Sequence, residues 1–374
     1  MSITGVNLQK ARDWIAEGRR MALCTLIETV GSAPLEPGAM MMVDAAGTIE
    51  GSVTGGCVEG ALAEEAREVL TGGEPRVKTY GISEDDAAGV GLMCGGTVHV
   101  FVEAPDDEEL ELIDWVFAAV LEGRSAAMST VLDGPGAGHR LAVVGGEVRG
   151  ELEGPPLLDR TVGREMRGML SQGLSALRHY AADGATMGAD LRVHVQSFAE
   201  PPAMVIFGAI DFAAATAALA RDVGYRVTIV DAREPFLRSA RFSEVAEVVV
   251  DWPDRYLASR ELGERDVVLV FTHDPKFDEP ALVSGLASGA GYVGALGSRR
   301  TQEAREERLR DSGLAQSEID RIAAPCGLDI GARTPSETAV SILAEVIARQ
   351  NARSGEELSE VEGPIHPRRQ PAPS

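Results

Sequence analysis

The chain has 374 residues, of which 44% are hydrophobic, and a formal net charge of −23 at pH 7. This length exceeds what one hydrophobic core usually organises, so the sequence predicts two domains, and the composition is typical of a soluble α/β protein with many tight turns. The negative charge excludes nucleic acid and anionic membranes as expected partners, because both bind positively charged surfaces.

The N-terminus has no basic segment followed by an apolar one, so no signal peptide is expected, and no apolar stretch is long enough for a membrane helix. These features predict a cytoplasmic protein. Its four cysteines, Cys24, Cys57, Cys94 and Cys326, lack the spacing of a zinc site. In a reducing compartment we expect free thiols rather than disulfides.

The first predicted domain, residues 1–200, begins with an amphipathic helix and continues with short strands joined by glycine-containing turns. The predicted helices span residues 7–18 and 59–71, and the predicted strands span residues 21–29, 39–43, 48–53 and 98–102. Together these elements predict a mixed α+β domain.

Two of the cysteines lie within glycine runs. The runs are Gly55-Gly56-Cys57-Val58-Glu59-Gly60 and Gly91-Leu92-Met93-Cys94-Gly95-Gly96. Glycine leaves a thiol uncovered and lets backbone N–H groups approach a ligand, and Cys57 also precedes the second predicted helix, whose dipole favours anions at that end. We therefore expect a functional pair of thiols; the alternative is that tight turns at strand ends require small residues.

The first domain also contains a degenerate internal repeat. Residues 20–104 form the first predicted copy and residues 125–198 the second, and Ala22–Leu26 matches Ala127–Val131, for example. The second copy has no cysteine, which indicates that the thiols are not needed merely to build the fold. Chance similarity between two strand-rich stretches is the alternative.

Strands and helices alternate in the second predicted domain, residues 201–350. Its strands are predicted at residues 203–207, 226–230, 247–250, 267–271 and 292–295, with an alanine-rich helix after the first. Alternation of this kind predicts a Rossmann-like, doubly wound parallel sheet. The remaining residues, 351–374, are rich in Ser, Glu, Pro and Arg and are predicted to be disordered.

A glycine turn and an acidic residue in this domain have the layout of a dinucleotide-binding motif. Gly208 follows the first strand, and Asp231 ends the second, where such an acid contacts a ribose hydroxyl. Ile210, however, occupies the position at which a second glycine lets the backbone approach a pyrophosphate. NAD(P) binding is therefore disfavoured, although Gly208 and Asp231 remain candidate nucleotide contacts.

Two further loops follow predicted strands at the carboxyl end of the same sheet, where ligands bind in open α/β folds. One loop contains His273 and Asp274, and the other contains Gly297, Ser298, Arg299 and Arg300 at the start of a helix. The second loop is a candidate cradle for a phosphate or carboxylate; the alternative is an exposed helix cap with solvated arginines. His273 either orients a ligand or caps a strand end.

These motifs together resemble those of the XdhC/CoxI family, the accessory proteins of xanthine dehydrogenase and related molybdenum hydroxylases. The resemblance rests on Gly31–Pro34, Pro37–Ala39, Gly51–Glu59 and Cys94–Gly96 in the first domain and on Tyr292–Arg300 and Gly327–Ala332 in the second. It extends over about residues 8–350.

The resemblance implies a molybdenum-cofactor chaperone rather than a catalyst. Such a protein binds molybdopterin or its dinucleotide form, cooperates with a cysteine desulfurase during sulfuration of the cofactor, and delivers it to the apo-hydroxylase. Cys57 and Cys94 would contact the metal or its sulfur ligands, since molybdenum accepts soft thiolate ligands. The further cofactor contacts would be Gly55, Gly56, Glu59, Gly95 and Gly96.

The chain departs from the family pattern at Ile210-Asp211, Gln196 and Cys326, and the first change weakens any nucleotide role of the Gly208 turn. We expect the two cysteine loops to share one cleft that faces the Gly297–Arg300 loop, either within one chain or across a homodimer. Two other functions remain open: an NAD(P)-dependent oxidoreductase that uses Asp231, and a partner-docking protein whose Rossmann fold binds nothing.

Overall fold

The computed structural model describes residues 5–31, 33–81, 96–186 and 188–362. The chain divides into two compact units, unit 1 (Met1–Glu200) and unit 2 (Pro201–Val361). Each is described by itself below.

The first half of unit 1 is an antiparallel sheet with two helices. Its elements in chain order are α1 (Leu8–Ala16), β1 (Met21–Val30), β2 (Met40–Asp44), β3 (Ile49–Gly51), α2 (Glu59–Leu70), β4 (Arg76–Tyr80) and β5 (Thr97–Glu103). The strands pair in the order β3-β2-β1-β5-β4, which we call sheet A. The third strand is shorter than predicted because Gly51 adopts a left-handed backbone with φ of 88°, which turns the chain out of the sheet.

The second half of unit 1 repeats this arrangement of elements. They are α3 (Asp107–Leu121), β6 (Ala126–Val131), β7 (Arg140–Val144), β8 (Glu147–Gly150), α4 (Pro156–Gln172), β9 (Ala176–Tyr180) and β10 (Leu191–Phe198). The strands pair in the order β8-β7-β6-β10-β9, which we call sheet B. The order of helices and strands, and the order of strands within the sheet, are therefore the same in both halves.

The register of the two sheets also agrees with the sequence match between the halves. Thr25 pairs with Phe101 in sheet A, and Thr130, its counterpart in the sequence match, pairs with His194 in sheet B. Phe101 and His194 are themselves counterparts, because Val100-Phe101-Val102-Glu103 matches Val193-His194-Val195-Gln196 in the sequence. The common origin of the halves stays a prediction, which this shared register supports.

The two sheets of unit 1 share a hydrophobic core that contains α1 and α3. Leu23 of sheet A, Phe117 of α3 and Phe198 of sheet B belong to one buried cluster, in which the rings of Phe117 and Phe198 lie 6.0 Å apart. The opposite face of sheet A packs against α2, and the opposite face of sheet B packs against α4. Each half thus buries both faces of its sheet.

Unit 2 alternates strands with helices. Its elements are β11 (Ala203–Phe207), α5 (Asp211–Asp222), β12 (Arg226–Val230), α6 (Glu234–Leu237), α7 (Ala240–Ser243), β13 (Glu247–Val249), α8 (Pro253–Ala258), β14 (Val267–Val270), α9 (Pro275–Ala287), β15 (Tyr292–Ala295), α10 (Arg299–Asp311), α11 (Gln316–Ile319), β16 (Ile322–Ala323) and α12 (Pro335–Gln350).

The strands of unit 2 are parallel and pair in the order β13-β12-β11-β14-β15-β16. This is the strand order of a Rossmann fold. Helices α5 and α12 pack on one face, and α8, α9, α10 and α11 pack on the other. The predicted fold class, a Rossmann-like parallel domain preceded by a mixed α+β domain, is confirmed.

The predicted disordered tail, residues 351–374, is only partly covered by the described structure. After Gln350 the described residues, up to Glu362, are exposed and form neither helix nor strand, and residues 363–374 lie outside the described part. Among the helices that the structure describes, none is both long and apolar enough to cross a membrane.

Candidate functional site

The loop between β3 and α2 carries the first of the two predicted cysteines, and we call residues Ser52–Val58 the Cys57 loop. One carboxylate organises it. The Glu59 side chain accepts hydrogen bonds from the hydroxyl of Ser52 (2.5 Å), from the hydroxyl of Thr54 (2.9 Å) and from the amides of Val53, Thr54 and Val58 (3.1, 2.8 and 3.1 Å). Glu59 therefore fixes the shape of the loop from the first position of α2.

The pKa of Glu59 reflects these contacts. Partial burial alone would raise it, but the hydrogen bonds from Ser52 and Thr54 outweigh burial and lower the pKa of Glu59 from 4.5 to about 2. The carboxylate is consequently charged throughout the physiological range. Both of its oxygens are occupied by the loop, so Glu59 positions the loop's backbone.

Gly55 and Gly56 form the tip of the Cys57 loop. Both have left-handed backbones, with φ of 76° and 117°, which favour glycine. A Cβ atom at either position would meet no atom of the described residues within 4 Å, so these residues leave the space above the tip open. The Gly55 amide donates to Ser52 Oγ at 2.7 Å, whereas the exposed Gly56 amide has no acceptor among the described residues.

The three described cysteines differ in exposure. Cys24 and Cys326 are buried, and burial raises the pKa of each thiol to about 12. Such thiols behave as small hydrophobic groups. Cys57 is partly exposed, beside the open tip formed by the two glycines. Of the described thiols, Cys57 is therefore the one that a ligand can reach.

Only the end of the second cysteine run lies within the described residues. Cys94 and Gly95 lie outside the described residues, and Gly96 is buried immediately before β5. Tyr80, which ends β4 on the other side of the same segment, packs against the same hydrophobic cluster as Cys57. The convergence of the two cysteine loops on one cleft stays a prediction.

A buried charge cluster that the sequence did not reveal joins the two halves of unit 1. The Arg140 guanidinium of sheet B donates to Glu103 at the end of β5, to Glu109 of α3 at 3.2 Å, and to the Gly138 carbonyl oxygen at 2.6 Å. The side chains of Arg140 and Glu103 are 1% and 2% exposed. Burial raises the pKa of Glu103 to about 7, against the opposing effect of Arg140.

In unit 2, the predicted Gly208 turn and Asp231 lie side by side at the carboxyl ends of β11 and β12. Gly208 has φ of 111°, and a Cβ there would lie 3.1 Å from the backbone of Phe271 and Thr272, so glycine is required by the packing of the strand ends. Asp231 accepts from the Ala209 amide at 2.9 Å. The side chain of Ile210 packs partly against the core.

The two other predicted loops also lie at strand ends of unit 2. His273 is exposed, and Asp274 caps α9 by accepting from the Lys276 amide at 3.3 Å. Ser298 caps α10 in the same way, accepting from the Thr301 amide at 3.2 Å.

Arg299 and Arg300 begin α10 next to Gly297, and both are exposed. Neither has a carboxylate partner within the described parts of the chain. The buried Arg305, paired with Asp278 at 2.8 Å, supports this loop by donating to the Leu296 carbonyl at 3.1 Å. With respect to the described residues, the loop thus presents two cations without carboxylate partners at the N-terminus of a helix, where anions are favoured.

Within residues 5–31, 33–81, 96–186 and 188–362, no group of three or more His, Cys, Asp or Glu side chains is arranged to hold a metal ion.

Comparisons with known proteins match both units. The model of the XdhC and CoxI family matches residues 14–81, and the model of the XdhC Rossmann domain matches residues 204–346. A protein of Bacillus subtilis (strain 168), named as a probable xanthine dehydrogenase component, is 26% identical over 91% of this chain and 97% of its own length. The molybdenum cofactor insertion chaperone PaoD of Escherichia coli (strain K12) is 27% identical over 91% of this chain and 86% of its own length.

A solved structure also resembles the whole chain. The crystal structure of a protein described as a xanthine dehydrogenase from Bacillus halodurans superposes with a TM-score of 0.66 at 23% identity. The match covers 95% of this chain and 97% of the other. At this level of identity the likeness shows a shared fold.

Proposed function

Because this chain belongs to the XdhC and CoxI family, whose models match both of its units, we propose that it is a maturation protein that binds molybdenum cofactor and delivers it, after sulfuration, to a molybdenum hydroxylase. The similarity to a molybdenum cofactor insertion chaperone supports this role. The cofactor is its cargo, and the proposed partners are the apo-hydroxylase and a cysteine desulfurase. We expect it to act in the cytoplasm.

The observation that carries the proposal is the Cys57 loop. Within the described part of the chain, it places a reachable thiol, a Gly56 amide without an acceptor and open space at one point of the surface of unit 1. A thiolate is a soft ligand suited to molybdenum or to sulfur chemistry around it, and a free amide at a glycine turn suits an anionic group. The residues present therefore fit the cofactor that the family's chaperones handle.

Glu59 has a supporting part in the proposal. Because its carboxylate already accepts hydrogen bonds from five donors of the loop, it holds the thiol and the amides in place instead of contacting the cargo. A preorganised loop loses less conformational freedom when the ligand binds. We propose that Cys94 and Gly95 also take part in cofactor binding. As a separate proposal for unit 2, the Gly297–Arg300 loop binds an anionic group such as a phosphate.

A titration of the purified full-length protein with molybdopterin tests the proposal. The wild type is expected to bind it, and Cys57→Ser is expected to weaken binding by about tenfold or more, because a hydroxyl replaces the soft ligand. Isothermal calorimetry or the quenching of pterin fluorescence gives the dissociation constant.

Cys24→Ala is the matched control, since Cys24 lies in β1 in the same half of unit 1 but is buried. We expect this change to lower the melting temperature slightly and to leave the dissociation constant unchanged. Equal affinities for wild type and Cys57→Ser would contradict the assignment of the thiol, and an absence of binding by the wild type would contradict the proposed function itself.

A further inference from the structure

Unit 2 contains an aromatic and cationic cluster that the proposed function does not use. Arg233 follows β12, Trp252 follows β13, and Phe277 lies in α9 after β14. The Arg233 guanidinium lies 4.3 Å from the ring centre of Phe236 and 5.5 Å from that of Phe277. The rings of Trp252 and Phe277 lie 4.9 Å apart. We call these four residues the strand-end cluster.

The strand-end cluster lies where the topology of the sheet predicts a ligand crevice. Strands β12 and β14 are the two neighbours of β11. From β11 the chain first builds the sheet towards one edge, with β12 and β13, and then returns to build it towards the other edge, starting with β14. In open α/β sheets, ligands bind outside the carboxyl ends of the strands at such a reversal. Arg233 and Phe277 approach this point from opposite sides of β11.

Asp231 is not free to accept a hydrogen bond from a ribose hydroxyl. It is 5% exposed, and Arg233 binds it with Nε at 2.9 Å and Nη2 at 2.8 Å. The amides of Ala209 and Arg233 donate to it as well, both at 2.9 Å. The acid that would recognise the 2′-hydroxyl of NAD is thus neutralised by a guanidinium two residues further along the chain.

Arg233 keeps part of its own donor capacity. Its Nη1 has no acceptor among the residues that the structure describes, and its side chain is 36% exposed. Asp231 and the ring of Phe236 hold the guanidinium in one orientation. An arginine fixed in this way presents a planar donor to a phosphate.

The surrounding aromatic surface is accessible. Phe236 is 51% exposed and Trp252 is 38% exposed. Exposed rings beside a guanidinium offer a stacking face to a nucleobase. Thr272 adds a polar group at the same crevice: it packs against Gly208, and its buried hydroxyl has no hydrogen-bond partner among the described residues. Buried polar groups are rarely left unpaired.

We propose that unit 2 binds a nucleotide whose ribose carries a 2′-phosphate, as in NADPH, and that Arg233 contacts this phosphate. Pairing of Asp231 with Arg233 removes the acceptor that NADH needs and supplies a cation in its place. Phe236 and Trp252 form the stacking surface for the base. This proposal uses no residue of the Cys57 loop, so either assignment can fail without the other.

Calorimetric titration of the full-length protein with small nucleotides tests the proposal. The ligand 2′,5′-ADP carries the 2′-phosphate, and 5′-AMP lacks it. Neither ligand has a pyrophosphate, so an obstruction of the pyrophosphate path by Ile210 would affect neither of them. We expect 2′,5′-ADP to bind at least about tenfold more tightly than 5′-AMP, and NADPH more tightly than NADH, because a charged hydrogen bond is gained. Equal affinities within either pair, or no binding at millimolar concentration, would overturn the proposal.

Two variants locate the contact. Arg233→Ala is expected to remove the preference for 2′,5′-ADP and to leave the weaker affinity for 5′-AMP in place. Arg238→Ala is the matched control, because Arg238 follows the next short helix and is largely exposed, paired only with Glu234 among the described residues. A preference that survives in Arg233→Ala would refute the assignment of this residue. The comparison of ligands on the wild type decides the proposal even if Arg233→Ala does not fold.

Discussion

Replacement of Arg140 by methionine is expected to lower the free energy of unfolding of unit 1 by about 3–5 kcal/mol, the range measured when one partner of a buried ion pair is removed. The change leaves the buried Glu103 without its counter-charge and removes one partner of the partly buried Glu109. Urea unfolding followed by tryptophan fluorescence measures the effect. In a Trp252→Phe background the signal comes from Trp14 and Trp115, which both lie in unit 1.

Arg124→Met is the control for this prediction. Arg124 is half-exposed and paired with the exposed Glu122, and the loss of such a pair changes stability by no more than about 1 kcal/mol. An effect of Arg140→Met as small as that of Arg124→Met would contradict the view that the buried cluster holds the two halves together.

The same cluster predicts a pH dependence. Burial raises the folded-state pKa of Glu103 from 4.5 to about 7, so the folded state binds more protons than the unfolded state between these values. The contribution of Glu103 to stability therefore falls as the pH rises from about 4.5 to about 7. In the Glu103→Gln variant the side chain stays neutral, so we expect its free energy of unfolding to change less with pH in this window than that of the wild type. Parallel profiles for the two proteins would contradict the prediction.

Replacement of Glu59 by alanine is expected to lower the free energy of unfolding of unit 1 by about 2 kcal/mol, because the donors of the Cys57 loop lose a charged acceptor. The pKa of Glu59 is depressed to about 2, so its contribution is complete above about pH 4.5 and is lost as the pH falls through about 2. The difference between wild type and variant should therefore shrink on acidification from pH 5 to pH 2.

Glu64→Ala provides the comparison for Glu59→Ala. Glu64 lies on the same helix, but its side chain is 72% exposed and makes only a surface pair with Arg67. We expect a change within about 0.5 kcal/mol for this variant. Glu59→Ala should also weaken molybdopterin binding, whereas Glu64→Ala should not, since only the first change releases the loop.

The local pattern of the sequence was sufficient for the fold class of unit 2 and for five of its six described strands, whereas the two-residue strand β16 (Ile322–Ala323) was not predicted. The strands Ala203–Phe207, Arg226–Val230 and Tyr292–Ala295 have the predicted bounds. Each is a short, mostly apolar run, and strands buried on both faces have this composition. Because helices alternate with these strands, only a few orders of the strands in the sheet are possible.

Contacts between distant charged residues could not be predicted in the same way. Arg140 and Glu103 are separated by 37 residues, and Arg305 and Asp278 by 27. In the sequence each of these residues is typical of a solvated surface, because periodicity marks apolar positions and does not identify partners. Their burial depends on how the elements pack, which only the structure shows.

The role of Glu59 is the main reinterpretation within the candidate site. The sequence motif places it among the cofactor contacts, since it lies close to Cys57 at the start of a helix. Its carboxylate is instead occupied by Ser52, Thr54 and nearby amides of the same loop. Spacing along the chain drew attention to the loop, but it could not predict that the loop folds back so that its own amides and hydroxyls reach this carboxylate.

The most direct test of the account is the rate at which Cys57 of the wild-type protein is alkylated by iodoacetamide, measured by mass spectrometry with and without saturating molybdopterin. In the free protein we expect rapid modification of Cys57 and slow modification of the buried Cys24 and Cys326. Bound cofactor should slow the modification of Cys57 at least about tenfold and leave the other two rates unchanged. A rate at Cys57 that is the same with and without the cofactor would contradict the proposed binding site.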